Sequence, residues 1–255
     1  MKKNFLSIVQ TLGFRLYFIA NKSGLFRYKF AENAFIKSYY LYKSKLENLD
    51  LALIGAYVKP NSAIIDVGAN IGWFTVNISP CLQTGSSIIA VEPGQTNIRR
   101  LRSAINKFNL QDKVQILQCA LSDTRGTGFL TLDAKNPANH QVGERDSYSE
   151  EIELKLLDDL TQNIESVCLI KIDVQGHELS VLRGSINTLK TFSPTILMEI
   201  DNTKDSSASS DLWIFLNNFS YLCIDPVTRN PISLEQIVNL KGYRDLLFSP
   251  GNSRK

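Results

Sequence analysis

The segment from residue 62 to residue 75 constrains the fold of this chain most, because it combines a strand, a tight turn and a helix start. Residues 63–67 are apolar and rich in β-branched side chains, which predicts a short strand buried on both faces. Glycine or asparagine then occupies alternate positions, at Gly68, Asn70 and Gly72. These residue types tolerate positive φ angles and let a ligand approach the backbone. The pattern therefore predicts a ligand-binding turn and a helix whose first amides face the ligand.

The spacing of this turn argues against a dinucleotide fingerprint, because G-x-G-x-x-G requires glycine where this chain has Asn70 and Trp73. The next predicted strand ends in Glu92, 26 residues after Asp66, where a carboxylate can accept both ribose hydroxyls of a nucleoside. This combination resembles the S-adenosylmethionine site of class I methyltransferases. A generic α/β turn with a solvent-facing glutamate is the alternative. The resemblance implies five cofactor-binding residues, namely Asp66, Gly68, Asn70, Gly72 and Glu92.

Beyond the first strand, predicted strands and helices alternate, which indicates a parallel sheet with helices on both faces. We expect a third strand at residues 114–121 and a helix at residues 176–189. Residues 134–150 and 201–211 are expected to be loops, and residues 244–250 a last strand that closes the sheet antiparallel. A chain of 255 residues is long enough for one core of this kind with an appendage.

The candidate site residues follow the predicted strands. Ligands of an open α/β sheet bind at the carboxyl ends of the strands, near the point where strand order reverses. Asp173 ends the fourth strand there, His177 lies in the turn beyond it, and Glu199 lies near the end of the fifth strand. Ser122 and Asp123 follow the third strand, where a hydroxyl or an acid can meet an adenine amine. We therefore add Ser122 and Asp123 to the predicted cofactor-binding residues.

Six motifs occur in an order that resembles the FkbM family of S-adenosylmethionine-dependent methyltransferases, over roughly residues 50–200. The resemblance implies a Rossmann-like class I methyltransferase domain at residues 58–255, with a seven-stranded, mostly parallel sheet, after a basic helical extension at residues 1–57. It also implies methyl transfer from S-adenosylmethionine to oxygen, often on a sugar or polyketide hydroxyl. The motifs are Asp66-Val-Gly-Ala-Asn-Ile-Gly72, Glu92-Pro93, Leu157-Asp-Asp-Leu160, Ile170-Lys-Ile-Asp-Val-Gln-Gly-His-Glu178, Val181-Leu-Arg-Gly184 and Pro194-Thr-Ile-Leu-Met-Glu199.

Methyl transfer to a hydroxyl requires an acceptor in line with the methyl group and a base for the hydroxyl proton. We predict Asp173, His177 and Glu199 as the catalytic residues, with Asp173 and His177 as the nearest bases. Other interpretations stay open. Lys171 and Glu199 also suit a buried ion pair that only fixes the sheet. His177 also suits a helix cap.

Whether a metal takes part is left open by the sequence. Asp173, Asp201 and Asn202 place oxygen ligands at two adjacent strand ends, as a hard divalent cation prefers. The four cysteines are far apart and form no C-x-x-C pair, so neither a zinc site nor a disulfide framework is indicated. Their spacing favours a reducing, cytoplasmic compartment.

Charge is divided unevenly along the chain. Residues 1–45 carry nine Lys or Arg and one Glu, a net charge of +8 within a total of +3, so the remainder carries −5. The apolar run at residues 5–20 is too short and too polar to span a bilayer. It suits either peripheral contact with anionic lipids at the inner membrane face or burial against protein. Residues 32–57 are expected to form a helical lid.

The expected partner is a hydroxyl-bearing small molecule or a glycan. The Asn-Pro-Pro-aromatic signature of nucleic-acid amino methyltransferases is absent after the fourth strand, and the basic arm lacks the motif of a known nucleic-acid module. A nucleic-acid partner is therefore not expected. Two alternatives stay open: a cofactor-binding, non-catalytic scaffold in glycan assembly, and a methyltransferase of nucleic acid or protein.

Overall fold

The structure, a computed structural model, describes residues 23, 25, 28–46, 51–132, 140–143, 149–203 and 207–251. The elements up to the edge of the main sheet are α1 (Lys29–Leu46), α2 (Leu51–Gly55), β1 (Ala63–Val67), α3 (Trp73–Ile78), β2 (Ser87–Val91), α4 (Gln95–Lys107) and β3 (Val114–Leu117). A second group comprises β4 (Ala120–Leu121), β5 (Gly126–Leu132), β6 (His140–Gly143), β7 (Ser149–Lys155) and α5 (Leu157–Thr161). The last group is β8 (Val167–Ile172), α6 (Glu178–Arg183), α7 (Ile186–Phe192), β9 (Thr195–Asp201), α8 (Ser207–Asn217), β10 (Tyr221–Ile224), α9 (Leu234–Val238) and β11 (Tyr243–Pro250).

The main sheet has seven strands in the order β10-β11-β9-β8-β1-β2-β3. Strands β9, β8, β1, β2 and β3 run parallel to one another, whereas β11 pairs antiparallel with both β9 and β10. The prediction of a seven-stranded, mostly parallel sheet closed by an antiparallel last strand is therefore confirmed. Strands β1 and β8 are neighbours, as the placement of the site required.

Alternation along the central strands decides which residues meet at the site. Ile64 and Ile65 of β1 pack into two different core clusters, one on each face of the sheet. By the same alternation, Asp66, Lys171 and Glu199 belong on the face of Ile64, near the carboxyl ends of their strands. Helix α1 packs two tyrosines against this face. The sheet therefore presents a row of charged groups beneath α1.

A second sheet corrects the prediction for the middle of the chain. Its four strands are ordered β4-β7-β5-β6. The third strand ends at Leu117 instead of continuing to residue 121, because Ala120 and Leu121 leave the main sheet to pair with β7. The predicted loop at residues 134–150 contains β6, which pairs antiparallel with β5. Four residues are too few for a clear alternation, and their pairing is a tertiary effect.

Three helix predictions are also corrected. The helix expected at residues 176–189 is two helices, and Gly184 between them lies so close to Ser122 that a Cβ there would be 2.0 Å from the Ser122 carbonyl oxygen. The loop expected at residues 201–211 gives way to α8 at Ser207. Of the N-terminal helix expected at residues 32–57, the structure describes α1, which begins earlier at Lys29, and α2, which ends at Gly55; residues 47–50 lie outside the described residues. Among the residues described, no helix is long and apolar enough to cross a membrane.

Candidate functional site

The turn after β1 has the predicted left-handed geometry. Gly68, Asn70 and Gly72 have φ angles of +78°, +51° and +88°. A Cβ at Gly68 would lie 2.0 Å from the carbonyl oxygen of Asp173, so only glycine lets the ends of β1 and β8 approach this closely. The amides of Gly68 and Ala69 both donate to the Val91 carbonyl oxygen, at 3.0 and 2.9 Å. The turn is thus fixed against β2 and β8 by its own backbone.

Glu92 is buried at the end of β2, with 4% of its surface exposed. Its carboxylate accepts hydrogen bonds from the Asn70 amide at 2.9 Å, the Gly94 amide at 2.9 Å and the Asn97 side chain at 3.1 Å. Burial raises the pKa of Glu92 to about 7, although these three donors oppose the shift. The alternative of a solvent-facing glutamate is therefore wrong.

Glu92 lines a cleft of about 540 Å³, including its open mouth, at the carboxyl ends of β1, β2 and β8. We call it the first cleft. Its walls are largely apolar and come from both sheets, with Glu92, Asn97 and Asp173 among the polar groups. Apolar walls with a few convergent polar groups are typical of a small-molecule site. The lining residues that carry the argument are Gly68, Asn70, Glu92, Ala120, Leu130 and Asp173.

The residues after β4 lie at the rim of the first cleft. Leu121 is part of its lining, and Ser122 follows as a buried residue with an exposed Asp123 beside it. The Ser122 hydroxyl lies 3.0 Å from Nε2 of His177 and 3.3 Å from a carboxylate oxygen of Asp123. These distances join protein groups only and do not test a contact with adenine. The contacts of Ser122 and Asp123 with adenine stay predictions.

Asp66 lies behind the turn and outside the lining of the first cleft. Its carboxylate is fully buried, and one oxygen accepts a hydrogen bond from the Thr75 hydroxyl. The other oxygen lies 3.9 Å from Lys171 Nζ and receives no hydrogen bond from any residue described. Burial raises the pKa of Asp66 above its ordinary value, and Lys171 opposes that shift. The geometry suits a residue that joins β1 to α3 and supports the turn from below.

Asp173 is the centre of a cluster of charged side chains that links α1 to the end of β8. Lys171 Nζ lies 3.1 Å from Asp173 Oδ2, and Lys43 Nζ of α1 lies 3.9 Å from the same oxygen. These two ammonium groups hold the pKa of Asp173 well below its usual range, although burial opposes the shift. Asp173 is thus an anion at neutral pH. The structure pairs Lys171 with Asp173 and Asp66, which differs from the Lys171–Glu199 pair that the sequence left open.

Gln175 connects Asp173 to Glu199 and was missed by the sequence analysis. Its side-chain amide donates to Asp173 Oδ1 at 3.2 Å and to Glu199 Oε1 at 3.1 Å. Its backbone has a φ of +53°, which is uncommon for a residue other than glycine. Its position in the turn after the fourth strand is the only sequence signal that points to it. Burial, followed by the charges of Asp173 and Asp245, raises the pKa of Glu199 to about 8.

His177 stands at the start of α6, where it makes no capping hydrogen bond from its side chain within the described part of the chain. Its ring lines the first cleft and contacts the Ser122 hydroxyl instead. Burial lowers the pKa of His177, and Asp123 opposes the shift. The imidazole is therefore predominantly neutral at pH 7 and able to accept a proton.

A second cleft, of about 510 Å³ with its open mouth, lies on the other side of the Gly68 turn. Its roof is α1, which contributes Tyr39 and Lys43. Helix α1 is fastened by the Tyr40 hydroxyl, which donates to the Ile71 carbonyl oxygen at 3.2 Å, and burial raises the pKa of this phenol. The two clefts share one wall, formed by Gly68, Asn70, Asp173 and Gln175.

The three oxygen ligands considered for a metal are separated by other contacts. The Asn202 side-chain amide donates to the Ile237 carbonyl oxygen at 2.7 Å, at the end of α9. Exposed Asp201 accepts from the Thr203 amide at 2.8 Å. Within the described ranges, no group of three or more His, Cys, Asp or Glu residues is arranged to hold a metal ion.

Comparison with known proteins agrees with this geometry. A family model described as the methyltransferase FkbM domain matches residues 66–223, which include the end of β1, the turn, β8 and β9. Two curated fungal proteins are similar in sequence. Methyltransferase 1 of Beauveria bassiana is 25% identical over 173 residues, which cover 59% of this chain and 69% of that protein. Methyltransferase sdnD of Sordaria araneosa is 29% identical over 162 residues, which cover 51% and 62% of the two chains.

One solved structure shows the likeness of the fold. The methyltransferase FkbM of Methylobacillus flagellatus KT superimposes with a TM-score of 0.53 at 17% identity. The match covers 82% of this chain and 50% of that one, so the chain spans half the length of this structural relative.

Proposed function

Because the chain belongs to the FkbM methyltransferase family, we propose that it is an S-adenosylmethionine-dependent O-methyltransferase acting on a hydroxyl of a sugar, a glycan or a glycosylated metabolite. The observation that carries the proposal is the meeting of two clefts at Asp173 and Gln175. One cleft suits a nucleoside, and the shared wall carries Asp173 and, through Gln175, a hydrogen bond to Glu199 behind it. The hydroxyl acceptor rests on the resemblance of the ordered motifs to this family.

The residues present fit S-adenosylmethionine. The first cleft combines apolar walls for a purine with a buried carboxylate, Glu92, for ribose hydroxyls. The tight turn at Gly68 leaves no side chain between the backbone and the cleft, and the Asp173 anion at the shared wall complements a cationic group. The cofactor, when bound, supplies a methyl group already activated on a sulfonium sulfur.

The protein's own task is then mainly to position the acceptor and to take a proton. Among the three candidates, Glu199 has the pKa best suited to proton acceptance, about 8, and it lies behind the shared wall, where the Gln175 amide donates to it at 3.1 Å. Asp173 is a weaker base, since two lysines stabilise its charged form. We assign Asp173 to charge complementarity and Glu199 to proton acceptance. His177, which is neutral and lines the first cleft, is the second candidate for the base.

The basic arm extends this proposal to the acceptor. Residues 1–22 lie outside the described residues, so the choice between membrane contact and burial stays a prediction. If the acceptor is a lipid-linked glycan, an arm on anionic lipid would bring the cleft to its substrate. Flotation of the full chain with anionic liposomes at low and moderate salt tests this. Retention in the soluble fraction at both salts would contradict membrane contact.

Calorimetry with S-adenosylhomocysteine tests the cofactor half of the proposal. We expect binding in the submillimolar range by a folded sample, and no binding would contradict it. Incubation with S-adenosylmethionine carrying a labelled methyl group, together with fractionated glycans, lipids, RNA and proteins from the source cell, tests the acceptor half. Label in a glycan or glycolipid fraction supports the proposal, whereas label confined to RNA or protein would overturn the choice of acceptor.

A further inference from the structure

The second cleft is the least explained part of the site. It is separated from Glu92 by the Gly68 turn, yet it shares Gly68, Asn70 and Asp173 with the first cleft. A nucleoside held by Glu92 with a chain on its ribose would therefore direct that chain along the turn towards the second cleft. The second cleft should then match the chemistry at the end of this chain.

The charges of the second cleft come in opposite signs from opposite walls. The floor carries Asp173 and Lys171, which form an ion pair at 3.1 Å, and Lys43 projects from α1, which forms the roof. The charged atoms of Lys43 and Asp173 are 3.9 Å apart, and these two side chains keep 20% and 18% of their surface exposed. At 3.9 Å the two charged atoms are beyond hydrogen-bond distance, so exchanging this contact for a ligand gives up no hydrogen bond. Two fixed charges of opposite sign are complementary to a zwitterion.

We propose that the second cleft takes the amino-acid end of S-adenosylmethionine, with Lys43 binding its carboxylate and Asp173 binding its ammonium group. The inference rests on the proposed function and adds a residue of the N-terminal extension to the cofactor site. Binding exchanges the Lys43–Asp173 pair for two ion pairs between protein and ligand, while Lys171 stays paired with Asp173. No proton changes hands, because all four groups are charged at neutral pH.

The anchoring of α1 supports a fixed position for Lys43. Arg100 of α4 lies 3.2 Å from Glu32 and 5.0 Å above the ring of Phe35, and both of these residues belong to α1. The hydrogen bond from Tyr40 to Ile71 adds a third attachment, close to the turn. Helix α1 therefore does not depend on the Lys43–Asp173 pair for its place. Lys43 can change partner without releasing the roof.

A comparison of two ligands isolates the amino-acid end. S-adenosylhomocysteine and 5′-methylthioadenosine share the nucleoside and the thioether, but only the first carries a carboxylate and an ammonium group. We expect Lys43→Gln in the full chain to weaken S-adenosylhomocysteine about 10-fold, as for one lost charged hydrogen bond, and to leave 5′-methylthioadenosine unchanged. Lys43→Arg should keep most of the affinity. Lys37→Gln, an exposed lysine of the same helix, is the matched control and should change neither ligand.

Each result of the calorimetry decides the inference. Unchanged S-adenosylhomocysteine affinity in Lys43→Gln would overturn it, while the proposed function would stand. An equal loss for both ligands would also overturn it, because Lys43 would then act through the fold and not through the amino-acid end. If wild-type protein binds neither ligand, the proposed function fails and this inference fails with it. Thermal unfolding of each variant confirms that the compared samples are folded.

Discussion

The two clefts on either side of the Gly68 turn are built in different ways. The first is formed by backbone turns and a carboxylate whose three hydrogen-bond donors all lie between residues 70 and 97. The second depends on Lys43 and Asp173, which are far apart in the sequence and meet only because α1 packs over β8. Local sequence therefore encodes the Glu92 anchor of the first cleft, whereas the charged pair of the second cleft is created by tertiary packing alone. Amino-acid substitutions should therefore be able to change ligand binding in one cleft without changing it in the other.

The largest expected effect concerns the backbone turn that both clefts share. Gly68→Ala places a Cβ 2.0 Å from the Asp173 carbonyl oxygen in a backbone with a φ of +78°. We expect the free energy of unfolding to fall by about 3–5 kcal/mol, since overlap with backbone adds to the strain of a left-handed residue. Urea denaturation measures the loss.

Gly176→Ala is the matched control for this substitution. Gly176 also has a positive φ, of +94°, but no described atom lies within 4 Å of a Cβ placed there. We expect it to lose about 1–2 kcal/mol from strain alone. Equal losses in the two variants would show that the approach of β1 to β8 is not what requires Gly68.

The next effect belongs to the first cleft alone. Glu92→Ala removes the charged acceptor proposed for the ribose hydroxyls. Binding should weaken by about 1–3 kcal/mol, and by the same amount for S-adenosylhomocysteine and 5′-methylthioadenosine, because both carry the ribose. Lys43→Gln should affect only the first ligand. Unchanged affinity in a folded Glu92→Ala protein, measured by calorimetry, would refute the ribose assignment.

A third effect is a pH dependence that arises at Glu199, which lies behind the shared wall and accepts a hydrogen bond from Gln175. Burial and two neighbouring anions raise the pKa of Glu199 from 4.5 to about 8, so between these values the folded state holds a proton that the unfolded state has released. Wild-type stability therefore carries a term that falls as pH rises through this window. Glu199→Gln removes this pH-dependent contribution to the free energy of unfolding, because glutamine does not titrate. Relative to wild type, the variant should gain stability between pH 5 and pH 9, in denaturant titrations at several pH values. A constant difference would contradict the raised pKa.

The charges that face Glu199 set this window. Asp173 and Asp245 raise its pKa, while Lys43 and Lys171 lower it. If Glu199 accepts the proton of the acceptor hydroxyl, wild-type turnover should rise as pH increases through about 8. Glu199→Gln should lose most of its turnover and this rise with it. A retained rise with a lower midpoint would transfer the role of base to His177, whose pKa is lowered.

The contrast between the clefts also explains how far the sequence could be interpreted. The positions of Gly68, Asn70 and Gly72 predicted the φ angles of the turn, since few residue types adopt them. The parallel direction of the central strands followed from their alternation with helices. Gln175 escaped notice because glutamine is common on surfaces and its contacts with Asp173 and Glu199 require two strands to be placed side by side.

The sequence also did not predict which charged residues form ion pairs or which short strands pair with each other. The sequence offered Lys171 and Glu199 as partners because they lie on neighbouring strands, but Lys171 lies 3.1 Å from Asp173 on its own chain segment. The second sheet was missed because β4 and β6 have only two and four residues, too few for a period to be recognised. Secondary-structure propensity describes single helices and strands. The Lys171–Asp173 ion pair and the second sheet depend instead on which elements become neighbours in the fold.

The smallest expected effect tests the roof of the second cleft. Tyr40→Phe removes the hydrogen bond to the Ile71 carbonyl oxygen, which joins α1 to the turn. The free energy of unfolding should fall by about 0.5–1.5 kcal/mol. Affinity for S-adenosylhomocysteine should fall severalfold, because Lys43 is held less firmly, and affinity for 5′-methylthioadenosine should not change.

Tyr221→Phe separates this local effect from a general loss of stability. The Tyr221 hydroxyl donates to the Pro194 carbonyl oxygen at 2.9 Å, and its strand, β10, lies at the edge of the sheet away from α1. The loss of stability should therefore be of similar size, while both ligands should bind as they do to wild type. If Tyr221→Phe weakens S-adenosylhomocysteine as much as Tyr40→Phe does, ligand affinity follows global stability, and α1 has no particular role in holding the amino-acid end.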